Sequence, residues 1–437
     1  MSAEKKAPSG RGEAGHAGKG VRSDLLAAVE LKDSGGLQVN LTSKIGSLYG
    51  KSIHATAEKV LADLGVENAV VEIDDAGALP FALAARIEAA ARAAGTSPEA
   101  KSLPETALPK AKRPARDALR RSRLYLPGAQ PKFMINAGIH GPDAVILDLE
   151  DSVHPDDKPG ARLLVRNALH CLDFMGAERM VRINQLPLGF EDLDDIVPVS
   201  PDLILIPKVE HASEVRQVAD RITEIQLKTG GEPIWIMPIL ESAMGVENAF
   251  EIATAADTVV ALTVGLEDYT ADLGVPKTLE GNESLYARTR LVNAAKAAGV
   301  QAIDSVFGDI ENMEGLAEWG VASRGLGFEG MGCIHPRQIP VIHKAFAPTE
   351  AQIERALKIV AAFEEAQAKG LGVVSLGTRM VDPPVVLRAQ RLVALARRTG
   401  QISDVADESD GELAGDSEAG QAGGSGVGQA GTSGGEQ

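Results

Sequence analysis

The chain has 437 residues, of which 44% are hydrophobic and 3% aromatic; it is long enough for more than one domain of roughly 100–200 residues, built on an aliphatic core. A net charge of −17 excludes a nucleic-acid partner, because phosphate binding needs a concentrated basic surface. Cys171 and Cys333 make neither a disulfide framework nor a metal cluster; with no signal-peptide pattern and no run of ~18 apolar residues for a membrane, the cytoplasm is the expected compartment.

Residues 1–20 are polar and glycine-rich, the composition of a disordered tail. Residues 21–94 form a compact α+β domain. Strands at 25–31 and 37–41 flank the tight turn Lys32-Asp33-Ser34-Gly35-Gly36. A helix over 52–64, a strand at 69–73 and an Ala-rich helix over 80–93 complete it. Residues 95–114 carry Pro, Lys and Glu without periodicity and read as a flexible linker.

From 115 to 345 the pattern changes. Apolar, β-rich bursts recur at 123–126, 144–147, 180–183, 203–206, 234–239 and 258–263, with shorter ones near 300–303 and 325–328. Helix-periodic segments such as 211–227 and 286–298 alternate with them. This α/β alternation fits a (β/α)8 TIM barrel. A doubly wound sheet competes, but no Gly-x-Gly-x-x-Gly follows the first strand. Helical stretches at 349–369 and 385–398 make a C-terminal extension over 346–402, and residues 403–437, Gly/Ser/Ala with acids, read as a second disordered tail.

In a barrel, chemistry belongs at the carboxyl ends of the strands, and the polar residues fall there: Asp148, Glu150 and Asp151 after the second strand, Arg182 and Asn184 after the third, Lys208 and Glu210 after the fourth, Glu241 after the fifth, Glu267 and Asp268 after the sixth. Carboxylates without a His/Cys cluster suit Mg²⁺ or Mn²⁺. Glu241 and Asp268, on adjacent strand ends, are positioned to share one ion; a buried ion pair with a basic neighbour is the competing reading. Arg182 either clamps a substrate carboxylate or pairs with Asp148 or Glu150. Lys208 reads as a structural lysine rather than a Schiff-base nucleophile, and His335 as a helix-entry residue.

The runs at 120–128, 143–153, 181–184, 241–245, 265–274 and 327–336 together resemble the citrate lyase β subunit, within the aldolase family that also holds malyl-CoA and citramalyl-CoA lyases. The segment 369–382 is similar to the citrate lyase branch. The first domain resembles the citrate lyase γ subunit, an acyl carrier, through Leu37–Leu41, residues 73–79 and residues 85–89. The resemblance implies Mg²⁺ on Glu241 and Asp268, Arg182 on the oxo acid, and Asp382 as a catalytic acid reaching in from a neighbouring subunit. It also implies Arg121 and Lys132 at a CoA or phosphopantetheine-like arm, and Glu150 and Asp151 orienting metal waters. Ser34 would carry the CoA-derived phosphoribosyl-dephospho-CoA group through a phosphodiester. The expected activity is cleavage of a citryl thioester to oxaloacetate and an acetyl thioester. It would need a separate α-type acyl transferase subunit, in a homo-oligomer, a trimer by family. A malyl- or citramalyl-CoA lyase using free CoA thioesters is the enzymatic alternative, and a carrier or assembly scaffold the non-enzymatic one.

Overall fold

The computed structural model describes residues 10–106, 108, 113–368, 374–376 and 379–403. Residues 1–9 of the first tail, residues 404–437 of the second and half of the 369–382 motif lie outside the described residues. The chain divides into two units, residues 1–346 and 347–437.

The first unit opens with a four-stranded sheet, in the order β1-β2-β4-β3. Its strands are β1 (Arg11–Gly15), β2 (Leu25–Leu31), β3 (Leu37–Ser43) and β4 (Ala69–Asp75), with α1 (Gly46–Asp63) and α2 (Pro80–Ala93) on it. Ile53, Ala57, Val60 and Leu61 of α1 recur at helical spacing and are buried against the sheet. Composition puts residues 11–15 in a tail, yet they pair antiparallel with β2 along their whole length. An edge strand needs backbone pairing more than apolar side chains, and its glycines serve contact: a Cβ at Gly12 would meet the Ala90 carbonyl oxygen at 2.3 Å.

A closed barrel of eight parallel strands follows. In chain order its elements are β5 (Ser122–Pro127), α3 (Pro131–Met134), β6 (Ala144–Asp148), α4 (Lys158–Cys171), β7 (Glu178–Arg182), α5 (Leu188–Ile196), β8 (Leu203–Ile206) and α6 (Ala212–Thr229). Then come β9 (Trp235–Leu240), α7 (Ala243–Glu247), α8 (Ala249–Ala253), β10 (Ala261–Val264), α9 (Leu266–Leu273) and α10 (Leu285–Ala298). Last are β11 (Gln301–Asp304), α11 (Met313–Leu326), β12 (Gly330–Cys333) and α12 (Gln338–Phe346). Side chains such as Ile146, Met180, Leu205, Met237 and Ile303 fill the barrel axis. The eighth strand falls at 330–333 rather than 325–328. The Gly-Leu-Gly-Phe stretch is the end of α11, capped by Gly327 at φ +107°. The strand itself is Gly-Met-Gly-Cys, hidden from propensity because a Cβ at Gly330 would meet the Arg120 carbonyl oxygen at 1.9 Å.

Helix α2 joins the two parts of this unit. Every residue from Phe81 to Ala91 is buried, as in a helix covered on all sides. One side packs on the carrier-like sheet and the other on α4. The polar seam is built on paired charges: Arg166 forks onto Glu88 at 3.0 and 2.7 Å, and Arg86 forks onto Asp24 and donates to the Ala129 carbonyl at 2.8 Å. The segment expected to be a loose linker is pinned to the same seam. Ser102 is buried, its hydroxyl donating to Asp63 at 2.7 Å and its carbonyl accepting from Arg166 at 2.9 Å. Lys101 pairs with Asp195 at 2.9 Å, and the Arg113 guanidinium stacks on Trp235. Lack of periodicity marks the absence of helix and strand, not the absence of contacts.

The second unit holds α13 (Glu350–Ala368), the two-stranded β13 (Val374–Leu376) and β14 (Arg379–Val381), and α14 (Pro383–Arg398). Ile359, Ala356, Val386, Ala389 and Val393 make its core.

Candidate active site

The carboxyl ends of the barrel strands enclose a cavity of about 430 Å³, bordered among others by Arg123, Tyr125, Asp148, Arg182, Glu241, Gly265 and Asp268. Each polar side chain reaches it by strand register. Asp148 and Arg182 are the last residues of β6 and β7, Glu241 follows β9, and Asp268 stands in the first turn of α9.

Arg182 is the organising cation. Its Nε and Nη2 fork onto Asp148 at 2.6 and 2.8 Å, and its Nη1 lies 2.9 Å from Glu150 and 3.4 Å from Asp151. Of the two readings of Arg182, the structure shows the ion pair with Asp148 and Glu150, at a residue that borders the cavity. Burial pushes the Asp148 carboxyl up, but the guanidinium outweighs it and holds the group below the usual carboxylate range. Glu150 goes the other way: burial raises it and the adjacent Asp151 adds to the rise, against the pull of Arg182. Lys208 bridges the acids, 3.1 Å from Glu150, 3.5 Å from Asp151 and 3.8 Å from Asp268. Those acids override its desolvation and hold it charged, which agrees with a structural lysine rather than a nucleophile.

Glu241 is buried, and its carboxyl is pushed up to about 8, first by burial and then by the facing Asp268 carboxylate. One of its oxygens accepts from the Lys208 backbone N–H at 3.1 Å. Lys208 reaches that position with φ +51°, a left-handed conformation unusual for lysine and typical of functional sites. Gly265 leaves room for the carboxylate, since a Cβ there would fall 2.4 Å from Glu241 Oε2. Two hard oxygen donors facing each other in a recess cleared by a glycine, with the Lys208 ammonium 3.8 Å from Asp268, fit a divalent cation that keeps several of its waters. Among the described residues no group of three His, Cys, Asp or Glu forms a ready metal cage, so such an ion would rest on this pair.

Other strand-end residues do different work. Asn184 donates to Asp192 and accepts from Lys158, holding the loop. Glu210 accepts from Ser242 at 2.7 Å, and Glu267 pairs with Lys277 at 2.7 Å. Arg121 stands just before β5, at the opposite end of the barrel, locked to Asp143 by two 2.8 Å bonds; it does not join the cavity, and sequence cannot distinguish the two ends of a strand by residue type. Lys132 is exposed on α3, at the cavity end of β5, over the Phe133 ring. His335 accepts from the Arg337 backbone N–H before α12, a turn residue. Ser34 is exposed in its turn, whose Gly36 N–H donates to Asn68 at 2.8 Å. Asp382 caps α14 by accepting from the Val385 N–H.

Arg123 and Tyr125 are the cavity residues that sequence reading passed over as strand members. The signal was a charged residue inside an apolar strand, alternating with the outward-packed Leu124 and Leu126.

The model of the HpcH/HpaI aldolase/citrate lyase family matches residues 121–336, and that of the malonate decarboxylase delta subunit (MdcD) matches residues 13–94. Citrate lyase subunit beta of Leuconostoc mesenteroides subsp. cremoris is 42% identical over 285 residues, 64% of this chain and 94% of that one. Human mitochondrial citramalyl-CoA lyase is 34% identical over 63% of this chain and 85% of its own. Among solved structures, protein CitE of Mycobacterium tuberculosis in complex with magnesium, acetoacetate and coenzyme A is similar at a TM-score of 0.54 and 31% identity, over 65% of this chain and 100% of that one.

Proposed function

Since the chain belongs to the HpcH/HpaI aldolase/citrate lyase family, we propose that it is a magnesium-dependent lyase cleaving a citryl thioester to oxaloacetate and an acetyl thioester carried on its own first domain. The observation that carries this reading is the pair of carboxylates Glu241 and Asp268, which line one cavity at adjacent strand ends in a recess that Gly265 clears. Magnesium, when bound, supplies Lewis acidity at the oxygen that becomes the ketone. Glu241 and Asp268 would hold it as carboxylates, Glu241 giving up its proton. Arg182, kept in place by Asp148, would exchange Glu150 for the oxo-acid carboxylate at its Nη1. Glu150 and Asp151, tied together by Lys208, orient the metal's waters. Breaking the carbon–carbon bond leaves a thioester enolate, and Asp382 of a second copy returns a proton to it. That role requires a homo-oligomer, a trimer on the family resemblance.

Ser34 is the attachment point for the phosphoribosyl-dephospho-CoA arm. Its exposure and the match of residues 13–94 to a carrier-type subunit support this. Lys132, exposed at the cavity end of β5, would steady the arm. Loading citrate needs an α-type acyl transferase, and the complex would work in the cytoplasm; among the described residues no helix is long and apolar enough to cross a membrane.

The test is the intact mass of the chain from its native host beside a Ser34→Ala control. An added mass equal to the arm, absent from the control, is expected. An unmodified Ser34 would sink the carrier part of the proposal and favour the second reading, a lyase for malyl- or citramalyl-CoA, to which the human relative points.

A further inference from the structure

The floor of the cavity holds a cation that pairs with no carboxylate among the described residues. Arg123 is 1% exposed and faces the barrel axis on the same side of β5 as Tyr125, with Leu124 and Leu126 packed outward. Its Nη1 meets the Met237 sulfur at 3.1 Å, and its Nη2 meets the Thr263 hydroxyl at 2.9 Å and the Asp304 carbonyl at 3.3 Å. Its Nε has no partner. The other fully buried arginines each fork onto a carboxylate: Arg86 onto Asp24, Arg120 onto Glu178 and Arg166 onto Glu88. The Asp304 carboxylate, the acid nearest in sequence register, is taken by Arg288 and Ser323. A buried guanidinium facing neutral groups alone is among the costliest arrangements a core can keep, and this one borders the cavity that also holds Glu241, Asp268 and Arg182.

Position narrows what it is for. Thr263, which touches the guanidinium, lies two residues before Gly265, the glycine that makes room for Glu241. Arg123 therefore sits one side-chain layer beneath the proposed metal level, while Arg182 stands at the mouth, already neutralised by Asp148 and Glu150. A ligand with one carboxylate satisfies the mouth; one with a second carboxylate also reaches the floor.

We propose that Arg123 receives the second carboxylate of a dicarboxylic oxo acid, and so sets the site's preference for a citryl-type thioester over citramalyl- or malyl-type ones. This rests on the lyase reading above. Arg123 would make the difference between a four-carbon dicarboxylate and its monocarboxylic homologue, leaving the metal and the first carboxylate to Glu241, Asp268 and Arg182.

Calorimetric titration of the full, magnesium-loaded chain with oxaloacetate and with pyruvate tests this. The unaltered chain should bind oxaloacetate roughly 10–100-fold more tightly, the value of a charge-assisted pair. Arg123→Met should remove that preference by weakening oxaloacetate and leaving pyruvate within about twofold, and Arg123→Lys should keep part of it. Equal affinities in the unaltered chain overturn the proposal without any variant, so it stays testable if Arg123→Met does not fold. Equal weakening of both acids would make Arg123 a structural prop and overturn it too. If neither acid binds the unaltered chain, the lyase reading itself fails and takes this proposal with it.

Discussion

Glu241 couples the chemistry of the site to its stability. Its carboxyl is raised from 4.5 to about 8, so its contribution to the metal-free fold is complete below the ordinary carboxylate range and is lost as pH climbs through about 8. The thermal midpoint of metal-stripped protein should therefore fall as pH rises through that window. Glu241→Gln, neutral at every pH, should flatten the fall and abolish the magnesium-induced rise in midpoint; a variant that kept the magnesium effect would remove Glu241 from the metal site. Gly265→Ala probes the same recess without touching a ligand. The backbone there, at φ −107°, accepts alanine, but the new Cβ would fall 2.4 Å from Glu241 Oε2. Magnesium affinity, read from the concentration dependence of the midpoint, should drop by about 10–100-fold. The carboxylates were legible in the sequence because acids at successive strand ends have one place to go in a barrel. The pairing of Arg182 with Asp148 and Glu150 was one of two readings the sequence offered; the strained φ of Lys208 and the floor position of Arg123 were not legible, since each depends on which residues the closed barrel brings across its axis.

Helices α2 and α4 show how an interface can be written in buried charge. Glu88 and Arg166 are 0% and 1% exposed on their side chains, so removing Arg166 leaves Glu88 in a dry seam with Arg92 as its remaining cation. Arg166→Ala should cost about 3 kcal/mol in denaturant unfolding, from the loss of a buried bidentate pair that Arg92 replaces only in part. Replacing both by apolar residues of similar volume should recover most of that loss, and a double substitution as damaging as the sum of the singles would contradict the pairing. Sequence periodicity found α2, but an Ala-rich amphipathic pattern does not tell a helix with one covered face from one covered on all sides. The arginines and glutamates inside α2 and α4 look like a solvated face until the partner helix is known. The strand at Arg11–Gly15 was missed for a related reason: its partners are backbone groups, which composition does not report.

For the larger unit, the sharing of α2 changes how a carrier could serve a barrel. A domain on a loose tether delivers its arm by diffusing, and its effective concentration follows linker length. Here the first domain is held by α2, by Arg86 on the Ala129 carbonyl and by the pinned Ser102 segment, so the arm proposed on Ser34, rather than the domain, would have to cover the distance. Strand β2 begins beside Asp24, the partner of Arg86, and ends before Ser34; seven extended residues put those two points about 20 Å apart. Docking also predicts that the covalent connection is dispensable. A protease site inserted within residues 109–112 should, once cut, leave the two fragments eluting together at the size of the intact protein, with Arg166→Ala loosening them. Fragments that separate after cutting in the unaltered protein would mean that the seam is too weak to hold the domain and that the tether, after all, sets the arm's reach.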